Sequence, residues 1–255
     1  RPTFITAYPS IAYDLAERIE SGYVGGVRVP TVSVTAEPFY EYQREKIEKT
    51  FAENAYSRYG AREFGTVAFE CPRKDGLHLV MESVYLEAIL DDSLEGDVGN
   101  ILVTDLINDA MPLIRYQVGD LGALEPETST CDCGLQTRRI RNIEGRDTDI
   151  LRRLDGSGIA GFNMVTVVAA SGINTRVQFV QRRPDLIVVR VEGKPEDHAE
   201  AIARIIGALK EQIGSDLSYP VEGVSQIERT SSGKYRYVVS ELPGPGSEGR
   251  QNDGR

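Results

Sequence analysis

The chain has 255 residues, 40% hydrophobic and 27% charged, which is ordinary for a globular protein and enough for one large domain or two modest ones. Its formal net charge of −10 argues against non-specific binding to nucleic acid or to an anionic membrane surface. No apolar run approaches the length of a membrane span and no signal-peptide pattern opens the sequence, so we expect a cytoplasmic protein.

The amino-terminal part of the sequence predicts a parallel α/β sheet. Apolar periodicity and helix-start signals give a strand, a helix, a strand, a helix and a strand, over residues 3–8, 9–22, 27–35, 36–51 and 54–58. A strand–helix–strand order of this kind places the loops after the strands at a ligand-binding edge.

The rest of the chain predicts two further regions and a tail. Residues 66–125 contain short strands separated by turns rich in Gly and Asp, which indicates an antiparallel β-rich subdomain. Residues 147–240 predict a small α+β domain, whose clearest helix begins at Pro195 and ends before Gly214. The tail, 241–255, has almost no apolar content and is predicted to be disordered. We therefore expect a large domain over 1–146 and a small one over 147–240.

Three short segments follow one another along this frame: YGAREFG at 59–65, RYQVGD at 115–120 and SSGKYR at 231–236. In this order they resemble the later signature motifs of the adenylate-forming (acyl-adenylate) superfamily. The branch they resemble most is that of phenylacetate–coenzyme A ligase and the related capsule-biosynthesis proteins. The resemblance implies the carboxy-terminal part of a large domain, an α/β sheet plus a small β subdomain, followed by a small α+β lid domain.

The first motif and the segment before it carry the nucleotide contacts that the resemblance implies. Tyr59 and Gly60 would lie against the adenine, and Glu63 would be a catalytic residue that holds the Mg²⁺ bridging the ATP phosphates. Arg62 stands where the family has Thr or Ser, and a guanidinium suits phosphates. The TAEP segment is similar to the family's Gly-Ala-Glu-Pro, which lines the adenine pocket and here includes Ala36, Glu37 and Pro38. Without the resemblance, YGAREFG reads as a glycine turn with a surface Arg–Glu pair.

The later motifs carry the ribose, hinge and lysine roles that the resemblance implies. Asp120 would accept hydrogen bonds from both ribose hydroxyls, since one carboxylate suits a vicinal diol. Arg146 would contact the ribose and Asp149 would be the hinge between the domains. Lys234 would be the catalytic lysine that stabilises charge between the α-phosphate and the substrate carboxylate. Read alone, the glycine–aspartate and SGK segments are solvated turns.

The three cysteines and one of the two histidines form a separate pattern. Cys71, His78, Cys131 and Cys133 have the spacing C-x6-H…C-x-C, and thiolates with an imidazole are the ligands that structural zinc prefers. Two cysteines one residue apart do not readily close a disulfide, so Zn²⁺ is the favoured interpretation and buried or incidental thiols the alternative. His198 is expected to be solvated.

The family's Ser/Thr/Gly-rich phosphate-binding loop has no counterpart in the sequence. We therefore expect a fragment that lacks the amino-terminal half of its enzyme and that, alone, binds nucleotide poorly and catalyses little. By resemblance, the expected parent enzyme activates a small carboxylic acid with ATP and Mg²⁺, forms an acyl-adenylate (acyl-AMP) intermediate and transfers the acyl group to coenzyme A. The resemblance also allows a homodimer. The alternatives are an adenylyltransferase on the same fold and a catalytically silent, zinc-stabilised binding module.

Overall fold

A computed structural model describes residues 2–94, 96–147, 149–229 and 235–242, without the side chain of Phe162. Lys234 and residues 243–255 of the predicted tail lie outside the described residues. The chain divides into unit 1, residues 1–145 and 229–235, and unit 2, residues 146–228 and 236–255. Among the described residues, none of the helices combines the length and the apolar character needed to cross a membrane.

Unit 1 is built on a nine-stranded sheet with two helices. Its elements are β1 (Phe4–Ala7), α1 (Pro9–Glu20), β2 (Val29–Thr35), α2 (Glu41–Thr50), β3 (Ala52–Ala61), β4 (Gly65–Glu70), β5 (Leu77–Leu79), β6 (Val84–Leu90), β7 (Gly99–Asp105), β8 (Tyr116–Leu124) and β9 (Arg139–Arg146). The strand order is β1-β2-β3-β4-β5-β9-β8-β7-β6. The prediction of mixed α/β and antiparallel β structure is confirmed.

β3 joins the two parts of this sheet. It pairs parallel to β2, with Val32 opposite Ala55, and antiparallel to β4, with Tyr59 opposite Ala68. On the parallel side, Ala16 of α1 and Ile47 of α2 belong to a fully buried apolar cluster with the strand residues. On the antiparallel side the remaining strands enclose a second apolar core.

The antiparallel part is strongly curved. β3 and β8 are four strands apart in the sheet order, which would separate them by about 19 Å in a flat sheet. The Tyr59 hydroxyl on β3 nevertheless lies 2.8 Å from Asp120 on β8, and the rings of Phe64 and Tyr116 meet edge to face at 5.8 Å. The strands therefore curl into a barrel-like layer, helped by bulges at Tyr59/Gly60 and in β7.

Unit 2 packs two helices on a four-stranded sheet. Its elements are β10 (Ile150–Arg152), β11 (Gly158–Ala160), α3 (Gly161–Ser171), β12 (Val177–Arg183), β13 (Leu186–Glu192), a 3-10 helix (Pro195–His198), α4 (Ala199–Gln212), β14 (Val221–Val224) and β15 (Val238–Ser240). The sheet order is β14-β13-β12-β15, and β10 and β11 form a separate hairpin. Phe179, Met164 and Leu209 lie at the centre of its apolar core. This arrangement of helices on a sheet is the predicted α+β fold.

Three local predictions differ from the structure. The second helix begins at Glu41 rather than at residue 36, because Ala36 has a left-handed φ of 69° and the Tyr40 N–H is capped by Gln43. The helix expected from Pro195 opens as a 3-10 turn, and the α-helix begins at Ala199. α3 was not predicted at all, since its apolar, partly β-branched sequence has little helical periodicity.

Candidate functional site

The four predicted metal ligands converge from three segments. Cys71 follows β4, His78 lies in β5, and Cys131 and Cys133 lie in the loop between β8 and β9. Their four ligand atoms all lie within 4.8 Å of one another, with the Sγ atoms of Cys71 and Cys131 3.7 Å apart and Cys133 Sγ 3.4 Å from His78 Nε2. Tetrahedral zinc bonds of roughly 2.3 Å to sulfur and 2.0 Å to nitrogen place ligands about 3.5–3.8 Å apart. The geometry fits Zn²⁺.

The surroundings of this Cys/His cluster orient His78 and shift the pKa values of His78, Cys131 and Cys133. His78 Nδ1 lies 2.8 Å from the Thr137 hydroxyl, which fixes the imidazole with Nε2 toward Cys133. Burial lowers the pKa of His78, favouring the neutral imidazole that binds metals. The backbone N–H of Cys133 lowers the pKa of the Cys131 thiol, favouring the thiolate. The pKa of the Cys133 thiol is raised instead: the Leu135 N–H lowers it, but burial and the hydrogen bonds with Cys131 and Cys71 outweigh that effect. Thr137 carries no sequence signal, because its contact depends on the pairing of β5 with β9.

The structure brings together two of the predicted nucleotide contacts. The hydroxyl of Tyr59, on β3, donates a 2.8 Å hydrogen bond to Oδ2 of Asp120, on β8. Both side chains are partly exposed. The two residues are 61 positions apart in sequence, and barrel curvature alone makes them neighbours. An aromatic ring and a carboxylate therefore share one edge of unit 1.

Glycines set the backbone beside both of these residues. A Cβ atom at Gly60 would lie 2.2 Å from the carbonyl oxygen of Gly65, so the bulge after Tyr59 has no room for a larger residue. Gly119 has a φ of 75°, which any L-residue other than glycine adopts only with strain. The backbone geometry alone thus explains why positions 60 and 119 are glycine, without any reference to a ligand.

Arg62 and Glu63 lie in the turn between β3 and β4, and both are exposed. The structure places them on the same hairpin as Tyr59, three and four residues beyond it. Their predicted roles toward phosphates and Mg²⁺ stay predictions, since each depends on a bound nucleotide.

The TAEP segment links β2 to α2 and takes part in a polar network at the start of α1. Ala36 adopts its left-handed φ immediately after β2, and Pro38 precedes the helix. The carboxylate of Glu37 accepts hydrogen bonds from the Ser10 backbone N–H at 3.1 Å and from the Ser10 hydroxyl at 3.2 Å. The side chain of Glu37 therefore has partners that its sequence context did not predict.

The two junction residues lie at the start of unit 2. Arg146 is the last residue of β9 and is exposed, and its carbonyl accepts a 2.9 Å hydrogen bond from the Asp149 backbone N–H. The Asp149 carboxylate forms an ion pair with Arg236. The predicted hinge carboxylate is therefore bound within unit 2 to a residue two positions after Lys234.

Comparison with solved structures shows the fold. The chain has the fold of the adenylate-forming ligases. It matches 2-hydroxyisobutyryl-CoA ligase in its postadenylation state with a TM-score of 0.72 and 21% identity, covering 94% of this chain and 55% of that one. It matches the anthranilate CoA ligase AuaEII in complex with anthranoyl-AMP with a TM-score of 0.64 and 15% identity, covering 92% and 47%.

Sequence comparison finds similar proteins in the branch that the motifs resemble. Residues 151–241 match the CapK C-terminal domain. The chain is 32% identical over 280 residues to phenylacetate-coenzyme A ligase of Thermus thermophilus and 24% identical over 246 residues to protein CapK of Staphylococcus aureus. It spans 60% and 54% of their lengths, and they align with 94% and 95% of this chain. The chain is thus similar in sequence to CapK and to the phenylacetate-coenzyme A ligases, the branch that its motifs resemble.

Proposed function

We propose that the protein is part of an AMP-forming ligase that activates a small carboxylic acid with ATP and then transfers the acyl group to coenzyme A. The observation that carries this proposal is the Tyr59–Asp120 hydrogen bond at 2.8 Å. It joins the motif expected at the adenine to the motif expected at the ribose. The relatives named phenylacetate-coenzyme A ligases support the reaction class.

In the proposed first step, a carboxylate oxygen of the acid attacks the α-phosphorus of ATP, the bond from that phosphorus to its bridging oxygen breaks, and pyrophosphate leaves. Asp120 binds the ribose, because the two oxygens of one carboxylate suit a vicinal diol. Tyr59 fixes the orientation of that carboxylate. Lys234 stabilises the negative charge that develops at the reacting oxygens, and Glu63 is the residue that would hold Mg²⁺.

We also propose that Cys71, His78, Cys131 and Cys133 hold a structural Zn²⁺. Four protein ligands complete a tetrahedral shell, so such a site leaves no position for a substrate or a water molecule. It ties the ends of β4, β5 and the β8–β9 loop together. The metal thus supports the curved layer on which Tyr59 and Asp120 lie.

The nucleotide part of the proposal is tested by titrating the chain with AMP and following backbone amide shifts. Because the named contacts involve only the nucleoside, we expect weak binding, with Kd on the order of 1 mM. Asp120→Asn should weaken it on the order of tenfold, since it replaces a charge-assisted acceptor. Asp109→Asn, at an exposed aspartate on the β7–β8 loop, is the matched control and should bind as the parent does. Equal affinity in parent and Asp120→Asn would refute the ribose role.

The activation chemistry is tested by pyrophosphate exchange into ATP with a panel of small carboxylic acids, aromatic acids first. Exchange that depends on one acid, followed by thioester formation with coenzyme A, supports the ligase. The Cys/His cluster also favours a second candidate, a zinc-stabilised binding module without catalysis. That candidate predicts unfolding by a chelator together with no amide shifts on addition of AMP.

A further inference from the structure

One buried arginine side chain joins the two loops that carry the Cys/His cluster. Arg139, the first residue of β9, is 3% exposed. Its Nη1 donates to the Asp75 carbonyl at 2.6 Å and to Oδ2 of the same residue at 2.5 Å, in the loop between β4 and β5. Its Nη2 donates to the Ser129 hydroxyl at 2.6 Å and to the Thr130 carbonyl at 3.3 Å, in the loop between β8 and β9. The two ends of one guanidinium group therefore hold one loop each.

These contacts lie next to the cluster ligands, both along the chain and in the sheet. Asp75 is three residues before His78, and Thr130 immediately precedes Cys131. His78 is directly opposite Arg139 in the antiparallel pairing of β5 with β9. Directly opposite residues of such a pair have their side chains on the same face of the sheet, with Cβ atoms about 5 Å apart. The side chain of Arg139 therefore leaves the sheet on the same face as the histidine of the cluster.

The loop that contains Asp75 packs closely on the β9 backbone. Gly76 has a left-handed φ of 75°, and a Cβ atom at this position would lie 2.8 Å from the carbonyl oxygen of Ile140. Only glycine satisfies both the backbone conformation and the close approach. This packing brings Asp75 within reach of Arg139 through contacts of the chain itself, without a metal ion.

The charge of Arg139 suits a position beside this cluster. Three thiolates, one neutral imidazole and one Zn²⁺ carry one net negative charge, and burying a charge is costly unless a countercharge lies nearby. The carboxylate of Asp75 is 67% exposed, so water solvates it, whereas the guanidinium group is buried. Nε of Arg139 is also buried and has no hydrogen-bond partner in the part of the chain that the structure describes. A buried cation thus lies close to the point where the three thiols meet.

We propose that Arg139 is a positioning residue of the metal site, whose guanidinium group holds both ligand loops in place before the metal binds. Ligands that are already ordered lose little conformational freedom on binding, which raises the affinity for the ion. The inference rests on the proposed zinc site and assigns to it a residue that is not itself a ligand. Lysine does not replace arginine in this role, because a single ammonium group lacks the planar fork that reaches both loops.

Competition with a chromophoric zinc chelator measures the affinity of the folded chain for zinc. Arg139→Lys keeps the positive charge and should bind zinc roughly 10- to 100-fold more weakly, because the ligand loops lose the group that orients them. Arg73→Lys is the matched control. Arg73 joins the same two loops through Asp132 at 3.4 Å but is 58% exposed, so this change should alter the affinity by less than about twofold. An Arg139→Lys protein with the zinc affinity of the parent would overturn the proposal.

Two further variants separate positioning of the ligands from general stability. Ile140→Val shortens a fully buried side chain next to Arg139, so it should lower the melting temperature and leave the zinc affinity unchanged. Asp75→Ala removes an exposed carboxylate and should weaken zinc binding about fivefold, since the contact of Arg139 with the backbone carbonyl remains. This variant decides the matter if Arg139→Lys does not fold. Equal losses of affinity in Ile140→Val and Arg139→Lys, or none in Asp75→Ala, would contradict the proposal.

Hydrogen exchange of the metal-free chain tests the same role without zinc. The amides of Lys74 and Gly134 report on the two loops, because each donates to the carbonyl of a cluster cysteine, at 2.9 and 3.2 Å. In Arg139→Lys both amides should exchange about tenfold faster, whereas the Phe51 amide at the end of α2 should be unchanged. Acceleration at only one loop, at neither, or equally at Phe51 would refute the role of Arg139. A parent chain that binds no zinc would refute the metal site instead, so the two proposals fail independently.

Discussion

The Cys/His cluster and the predicted nucleotide site lie on the same curved layer but are assembled to different degrees. In the cluster, every predicted ligand atom lies within 4.8 Å of the others, at separations suited to one metal ion. In the nucleotide site, Tyr59 and Asp120 touch, while Arg62 and Glu63 extend from an exposed turn. A metal site is complete when its ligands meet, whereas a substrate site also needs the substrate to define where its charged groups act.

This difference predicts that the cluster governs stability and that the Tyr59–Asp120 pair governs affinity. Changes at the cluster should destabilise unit 1 with or without nucleotide. Changes at Tyr59 should leave folding almost unaltered and appear only when AMP is added.

The largest expected effect is that of removing the metal. The purified chain should contain one zinc ion per molecule by elemental analysis, and a strong chelator should lower its melting temperature by about 10 °C, because metal binding adds directly to folding free energy. His78→Ala should lose both the zinc and the response to chelator.

The chain carries its own control for this experiment. His198 is the other of its two histidines and lies at the end of the 3-10 helix before α4. His198→Ala should keep one zinc ion and the melting behaviour of the parent. A parent protein without stoichiometric zinc, or one whose melting temperature is unchanged by the chelator, would show that the thiols do not hold a structural metal.

An intermediate effect is expected for Tyr59→Phe. This change keeps the aromatic ring but removes the hydroxyl that orients the Asp120 carboxylate, so AMP affinity should fall about fivefold. Tyr85→Phe, at a tyrosine on β6 that is half exposed, should bind AMP as the parent does. If Tyr59→Phe retained full affinity while Asp120→Asn lost it, the carboxylate would not depend on Tyr59 for its orientation.

Some residues of the two candidate sites could be predicted from the sequence, and others could not. Fixed motifs such as RYQVGD carry a chemical requirement in a few adjacent positions, so Asp120 and the four residues of the Cys/His cluster could be singled out from the sequence as candidate site residues. Contacts between residues on distant strands are not marked by any short sequence motif. Thr137 beside His78 and Ser10 beside Glu37 are ordinary hydroxyl residues, and only strand pairing and helix placement make them partners.

The fold also has features that the sequence predicts and features that it does not. Strand and helix order followed from periodicity and turn residues, and it correctly predicted a mixed sheet and an α+β unit. The curvature that joins Tyr59 to Asp120 depends on bulges and on glycines with special backbone geometry, which a period of two residues does not reveal. α3 was missed because its helical state depends on packing against the unit 2 sheet.

The smallest expected effect concerns Glu144, a buried carboxylate on β9 that sequence reasoning did not single out. Burial raises the pKa of Glu144, and its Oε1 accepts a hydrogen bond from the side chain of Asn142. An acid whose pKa is higher in the folded than in the unfolded state destabilises the fold once it ionises. The free energy of unfolding should therefore fall as pH rises from the ordinary glutamate range through the raised pKa of Glu144.

Glu144→Gln removes this titration and keeps an acceptor for Asn142. The variant should equal or exceed the parent in stability at pH 7, and its urea midpoint should vary less between pH 4 and pH 7. Glu45→Gln, at an exposed position, should reproduce the parent's pH profile. A Glu144→Gln protein less stable than the parent at pH 7 would instead mean that the ionised carboxylate is stabilised by a positive partner, and that the layer carrying Asp120 depends on that charge.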